Sequence, residues 1–177
     1  MDKRKDSGTN PAKNNTTVER KSDRELVVTR TFNGPAHLVF DAWTKPELFQ
    51  RWWAPKSFGV SLLSCDLDVR TGGKYRLVFR HPETGEPMPF FGRYVEVIAP
   101  KRIVWTNEEG EEPGPVTTVT FEEKGGETLV VLQDLYPSKE ALDDAIASGS
   151  VSGYPEQFEQ LEQLLVGSEA SAGGRPA

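Results

Sequence analysis

Tyr154-Pro155-Glu156-Gln157-Phe158-Glu159-Gln160-Leu161-Glu162-Gln163-Leu164-Leu165 is the stretch that decides the fold. Tyr154, Phe158, Leu161 and Leu165 stand at i, i+4, i+7 and i+11, the spacing of one helix face. Such a stripe requires an apolar surface to lie on. The only large one the rest of the chain offers is a sheet.

The sheet is written in alternation. Glu25–Phe32 is β-rich, with Leu26, Val28 and Phe32 on one parity. From Ser57 to Leu135 the chain alternates between turns. Leu63, Cys65, Leu67 and Val69 share a side, then Thr71-Gly72-Gly73 turns the chain. Tyr75, Leu77 and Phe79 share the next face, and Pro82–Pro89 reads as a loop. Phe90–Ile98, Arg102–Asn107, Val116–Glu123 and Thr128–Leu135 supply four more strands, the last two joined at Gly125-Gly126. Counting the first strand, seven are expected.

Helices fill the remaining intervals. Asn33-Gly34-Pro35 introduces one, Pro35 suiting a first helical position, and Ala36, Val39, Phe40 and Trp43 lie on one face of it. Thr44-Lys45-Pro46-Glu47 has the capping-box pattern of a second, short helix that carries Leu48 and Trp52 and ends at Pro55. Ser138–Ala147 predicts a third helix with a Ser cap. Its neighbour is the decisive helix, after a break at Ser148–Gly153. The sum is an α+β domain of residues 25–166. A curved seven-stranded antiparallel sheet wraps around a long C-terminal helix. A strongly twisted sheet and one helix do not close perfectly, and the gap between them is a natural apolar pocket.

Residues 1–24 and 167–177 are too polar or too Gly-rich to bury much, so both are expected to be disordered tails. The chain has 177 residues and a formal charge of −6. The first 24 residues carry seven basic and four acidic groups, while residues 25–166 hold 13 basic and 22 acidic groups. A body that acidic argues against binding nucleic acid or an anionic membrane surface. One cysteine, Cys65, excludes an internal disulfide framework. No apolar run is long enough for a membrane helix and no secretory leader is visible, so a cytoplasmic protein is expected.

Several motifs resemble one family. They are Thr29-Arg30-Thr31-Phe32-Asn33-Gly34-Pro35, Val39-Phe40-Asp41-Ala42-Trp43-Thr44, Pro46-Glu47-Leu48 and Arg51-Trp52-Trp53-Ala54-Pro55. Asp66–Gly73, Gly92–Pro100 and Gly125-Gly126-Glu127-Thr128 fit as well. Over about residues 25–166 the chain is similar to domains related to the activator of the heat shock protein 90 ATPase, within the START-like or SRPBCC superfamily. The resemblance implies the helix-grip fold, β-α-α-β₆-α. It also implies a cavity of the kind that holds lipids, sterols, polyketides or flavonoids, with cyclases among the relatives. A chaperone partner and a stress-response role are implied by the family name. The chain departs from the family pattern at Asn107, where an aromatic is common, and at Gly153-Tyr154-Pro155, where Gly-Trp is common.

Candidate chemistry is sparse. His37 and His81 are the only histidines and lie far apart in sequence, so no metal or other cofactor is expected. Cys65 lies on the apolar parity of its strand and reads as an inert thiol. Trp43, Trp52, Tyr75, Phe79, Phe91, Tyr94, Trp105, Phe158 and Leu161 are expected to line the pocket. Arg30, Glu96 and Asp134 share parities with apolar neighbours. A buried charge is costly unless paired, so Arg30 is expected to meet Glu96, Asp134 or both, as a register-fixing ion pair or as a polar anchor for a ligand. The leading expectation is a binding module for an apolar or aromatic small molecule, with no dedicated catalytic group. The alternatives are a chaperone-interacting protein and a cyclase- or dehydratase-type enzyme using Glu96 and Asp134.

Overall fold

Buried Leu26, Val28, Arg30 and Phe32 alternate with half-buried Val27, Thr29 and Thr31, which makes Glu25–Asn33 a strand with one sealed face. The computed structural model describes residues 15–110 and 112–174, with side chains through residue 167. The strands are β1 (Thr17–Arg20), β2 (Glu25–Asn33), β3 (Ser61–Leu67), β4 (Lys74–Arg80), β5 (Pro87–Ile98), β6 (Arg102–Thr106), β7 (Val116–Lys124) and β8 (Glu127–Leu135). The helices are α1 (Ala36–Thr44), α2 (Pro46–Phe49), α3 (Lys139–Ala147) and α4 (Tyr154–Gly174), with one 3₁₀ turn at Lys56–Phe58. All strands join one antiparallel sheet in the order β1-β2-β8-β7-β6-β5-β4-β3. The C-terminal helix α4 packs on it, as Phe158 meeting Phe32 at 5.6 Å marks. This is the expected α+β helix-grip architecture.

The eighth strand is β1. It lies within the leader expected to be disordered, and pairs with β2 from Thr17↔Thr29 to Arg20↔Leu26. All four of its side chains are exposed, so it left no burial pattern in the sequence. Its hold is the backbone ladder and an ion pair from Arg20 to Asp143 of α3 at 2.8 Å. At the other end α4 continues beyond Gly167 to Gly174. Residues 1–14 and 175–177 of the two expected tails lie outside the described residues.

Three local expectations change. Thr44 does not cap α2. Its hydroxyl donates to the Phe40 carbonyl at 3.0 Å, and Lys45 takes the cap position with Pro46 as first helical residue. The short helix stops at Phe49, which is buried where Leu48 was expected. The α1 N-terminus is instead satisfied from the sheet, the Ala36 N–H donating to the Glu123 carboxylate of β7 at 2.9 Å. Leu63 is the third. A register shift between Leu62 and Ser64 turns it outward, while Leu62, Cys65, Leu67 and Val69 pack on the core.

β5 gives the sheet its bend. Its first half, Pro87 to Arg93, pairs with β4, and its second half, Tyr94 to Ile98, pairs with β6. The partner changes beside Gly92, where a Cβ would stand 2.1 Å from the Thr106 carbonyl oxygen and 2.9 Å from Tyr75 Cε2. Only glycine lets two backbones approach so closely. Gly92→Ala is therefore expected to lower the urea midpoint by the equivalent of about 2–3 kcal/mol, the range of an overpacked interior. Gly167→Ala, with open space around the added carbon and a helical backbone, should raise it by about 0.5–1 kcal/mol.

Candidate functional site: an aromatic cavity between sheet and helix

A cavity of about 500 Å³ lies between the sheet and the C-terminal helix. That volume suits a small ligand. Trp43 of α1, Trp53 and Trp105 of β6 form one aromatic side. Tyr75, Leu77 and Phe79 of β4, with Met88, Phe90 and Tyr94 of β5, form the sheet side. Phe58 and Phe90 are partly exposed, which marks one mouth. Exposed Glu109 and Ser150 mark another.

The loop between α2 and β3 closes one flank, and α4 holds it there. Gln160 Nε2 donates to the Trp52 and Ala54 carbonyls at 2.9 and 3.0 Å, and its Oε1 accepts from the Lys56 N–H at 3.0 Å. Gln157 Nε2 donates to the Trp53 carbonyl, and Glu156 accepts from the Ser57 N–H at 2.9 Å. The amide and carboxylate side chains of α4 thus satisfy a loop that has few backbone partners of its own. Gly153 lies under that loop. A Cβ there would stand 3.1 Å from both Phe58 and Pro55.

One side of the cavity is polar. Asp134 of β8 is 2% exposed. Its Oδ1 accepts from the Thr117 hydroxyl and its Oδ2 from the Tyr154 hydroxyl, both at 2.6 Å. Asn107 Nδ2 donates to Thr117 Oγ1 at 3.2 Å and to the Pro115 carbonyl at 2.7 Å. The Tyr75 hydroxyl donates to the Thr106 carbonyl at 2.6 Å. All these side chains except Thr106 border the cavity. Loss of water holds the Asp134 carboxyl above its ordinary range, outweighing the two hydrogen bonds that favour the charged form. Burial, then the adjacent Asp134 charge, holds the Tyr154 hydroxyl far above its ordinary value. Burial likewise raises Tyr75, Tyr94 and Tyr136.

The expected site residues separate into three groups. Trp43, Tyr75, Phe79, Tyr94, Trp105 and Asp134 border the cavity. Trp52, Phe158 and Leu161 do not. They are fully buried behind its wall, Trp52 donating its indole N–H to the Ala42 carbonyl at 2.9 Å. Phe91 and Glu96 point elsewhere. Phe91 is 37% exposed, and Phe90 is the residue that lines the cavity. A register shift between Tyr94 and Glu96 breaks the alternation of β5. Glu96 is thereby left half exposed, paired with Arg102 at 2.7 Å, and Val97 packs on the core instead.

Arg30 meets neither expected carboxylate. It is buried and faces α4, with Glu159 at 3.2 Å and Glu162 at 3.6 Å. Its guanidinium lies 5.5 Å from the centre of the Phe32 ring, and it does not border the cavity. With Glu96 outside and paired to Arg102, the two carboxylates expected for acid–base work are not brought together; among the described residues Asp134 and Glu109 are the acids that border the cavity. Among the described residues no group of three or more His, Cys, Asp or Glu could hold a metal ion. Burial raises the Cys65 thiol to about 11, which keeps it protonated near neutrality.

Trp53, Phe49, Phe90, Thr117 and Tyr154 are lining residues that the expected site did not contain. Thr117 had a signal. The Gly125-Gly126 turn sets Lys124 opposite Glu127, and counting back along both strands puts Thr117 opposite Asp134.

An open antiparallel sheet gripping a C-terminal helix around an aromatic hollow defines a START-like helix-grip domain. The chain belongs to the Activator of Hsp90 ATPase homolog 1-like protein family, whose model matches residues 33–166. A structure from Rhodobacter sphaeroides is similar at TM-score 0.77 and 22% identity, covering 86% of this chain and 98% of that one. One from Nitrosomonas europaea gives 0.76 and 26%, over 85% and 99% of the two chains. A solution structure from Staphylococcus epidermidis gives 0.73 and 30%, over 86% and 94%. No curated protein matches significantly. No helix among the described residues is long and apolar enough to cross a membrane.

The raised Asp134 pKa has a consequence for stability. The folded protein holds this proton more tightly than the unfolded chain, whose value is near 3.8. Unfolding therefore releases a proton above that pH, and stability falls as pH rises. Asp134→Asn has no proton to lose. Asp134→Asn should therefore gain stability relative to the parent as pH rises above about 4 in urea titrations. A difference that stays constant or moves the other way contradicts the assignment.

Proposed function

We propose that this protein is a receptor or carrier for an apolar, partly aromatic small molecule of lipid, polyketide or flavonoid type, held between sheet and helix. The observation that carries this reading is the cavity itself, about 500 Å³ of space bordered by Trp43, Trp53, Trp105, Tyr75 and Tyr94. Rings of that size could have filled the volume and do not. Binding draws on buried apolar area, about 25 cal/mol per Å² before the cost of immobilisation. The polar side chains along one wall set the orientation of the bound molecule.

The test is an NMR screen of lipids and aromatic metabolites against the labelled protein. Shifts at Trp43, Trp105 and Tyr94 are expected. Shifts confined to outward residues such as Phe91 and Val95 eliminate the receptor reading. Leu67→Trp, which places an indole where a half-buried leucine borders the hollow, should weaken binding about tenfold or more.

The family description favours a second reading, an interaction with an Hsp90-type chaperone. Its expected outcome is a higher ATPase rate of that chaperone when this protein is added. An unchanged rate at saturating protein rejects it.

A further inference from the structure

We infer that the cavity ligand carries a protonated amine on its apolar body and that Asp134 is the counter-ion, an assignment that rests on the receptor reading above. Among the described residues no Lys, Arg or His borders the cavity, and Asp134 and Glu109 are the only side chains on it that can carry a full charge. Asp134 is 2% exposed, and no ion pair reaches it among the described residues. Its two hydrogen bonds come from neutral hydroxyls, one on each oxygen. Each carboxylate oxygen has acceptor capacity beyond one bond.

A buried carboxyl without an ionic partner or a metal keeps its proton until a cation meets it. Asp134 is such a group, and it borders a space large enough for a ligand. An ammonium in that space gains the carboxylate, in a cavity that Trp43, Trp53 and Trp105 also border. A carboxylate ligand there meets like charge with no basic residue to receive it. A neutral hydroxyl can satisfy a lone pair but does nothing to favour ionisation of the carboxyl. Anchoring Tyr154 to the sheet does not by itself need a charge, because an amide oxygen accepts the same hydrogen bond. The amine also answers the elevated pKa, since its charge favours ionisation of the carboxyl it meets.

Naphthylethylamine, naphthylethanol and naphthylacetate share an aromatic body and differ in the head group. Calorimetric titration of the full chain is expected to show the amine binding about tenfold tighter than the alcohol, with the acetate weakest. In Asp134→Asn the advantage of the amine over the alcohol should vanish while the alcohol still binds. An alcohol that binds the parent as tightly as the amine overturns the inference and leaves the receptor reading standing. An acetate that binds as tightly as the amine does the same. An amine advantage that survives in Asp134→Asn removes Asp134 as counter-ion. The parent comparison decides the head-group preference even if that variant does not fold. Absence of binding by all three compounds overturns both readings.

Discussion

The hollow depends on the packing of Trp43. Its ring lies 4.7 Å from Trp52, 5.9 Å from Trp53 and 6.0 Å from both Trp105 and Phe121, with Phe158 at 6.1 Å. Most of these contacts are edge-to-face, the arrangement rings prefer. Trp43 belongs to the core and to the cavity wall at once. Behind it Trp52 is fixed by its bond to the Ala42 carbonyl, and Phe158 by its contact with Phe32. Rings packed edge to face and filled in from behind leave the space in front unoccupied. Flexible aliphatic side chains at the same positions could close it.

The loop from Trp52 to Ser57 depends on the same helix. Glu156, Gln157 and Gln160 are among the polar positions of α4, and on periodicity alone they read as solvent-facing. Instead they satisfy the backbone of the loop that walls one flank of the cavity. One helix therefore packs against the core with its apolar stripe and fixes a wall with its polar one.

Periodicity made the architecture legible. The stripe of Tyr154, Phe158, Leu161 and Leu165 and the alternation of β2, β4, β7 and β8 needed no correction. Where the period breaks, the reading broke with it. An extra residue in β3 turned Leu63 outward, and one in β5 did the same to Glu96. Bulges obey backbone geometry rather than any residue preference in the sequence, so alternation cannot announce them. β1 was hidden because a polar edge strand has no buried face. Within the site, parity placed Trp43, Tyr75, Tyr94 and Asp134 inward. It could not separate wall from core, since Trp52 and Phe158 satisfy the same pattern from one layer further back.

Arg30 and Asp134 show two ways of burying a charge in one domain. Arg30 sits between Glu159 and Glu162 under α4 and also donates to the Thr16 hydroxyl at 3.1 Å. Burial lifts Glu162, with the Arg30 charge opposing the rise. Such a cluster fixes helix against sheet and involves no cavity. Asp134 has hydroxyls where Arg30 has carboxylates, and it borders open space. The surroundings add to this difference. Residues 25–166 carry nine more acidic than basic groups, 22 against 13, and Glu109 stands at one mouth of the cavity. A low-dielectric cleft lined by one sign of charge concentrates the field within it and raises the local concentration of the opposite ion. The field outside would thus favour the same sign of ligand as the Asp134 carboxyl in the inference above.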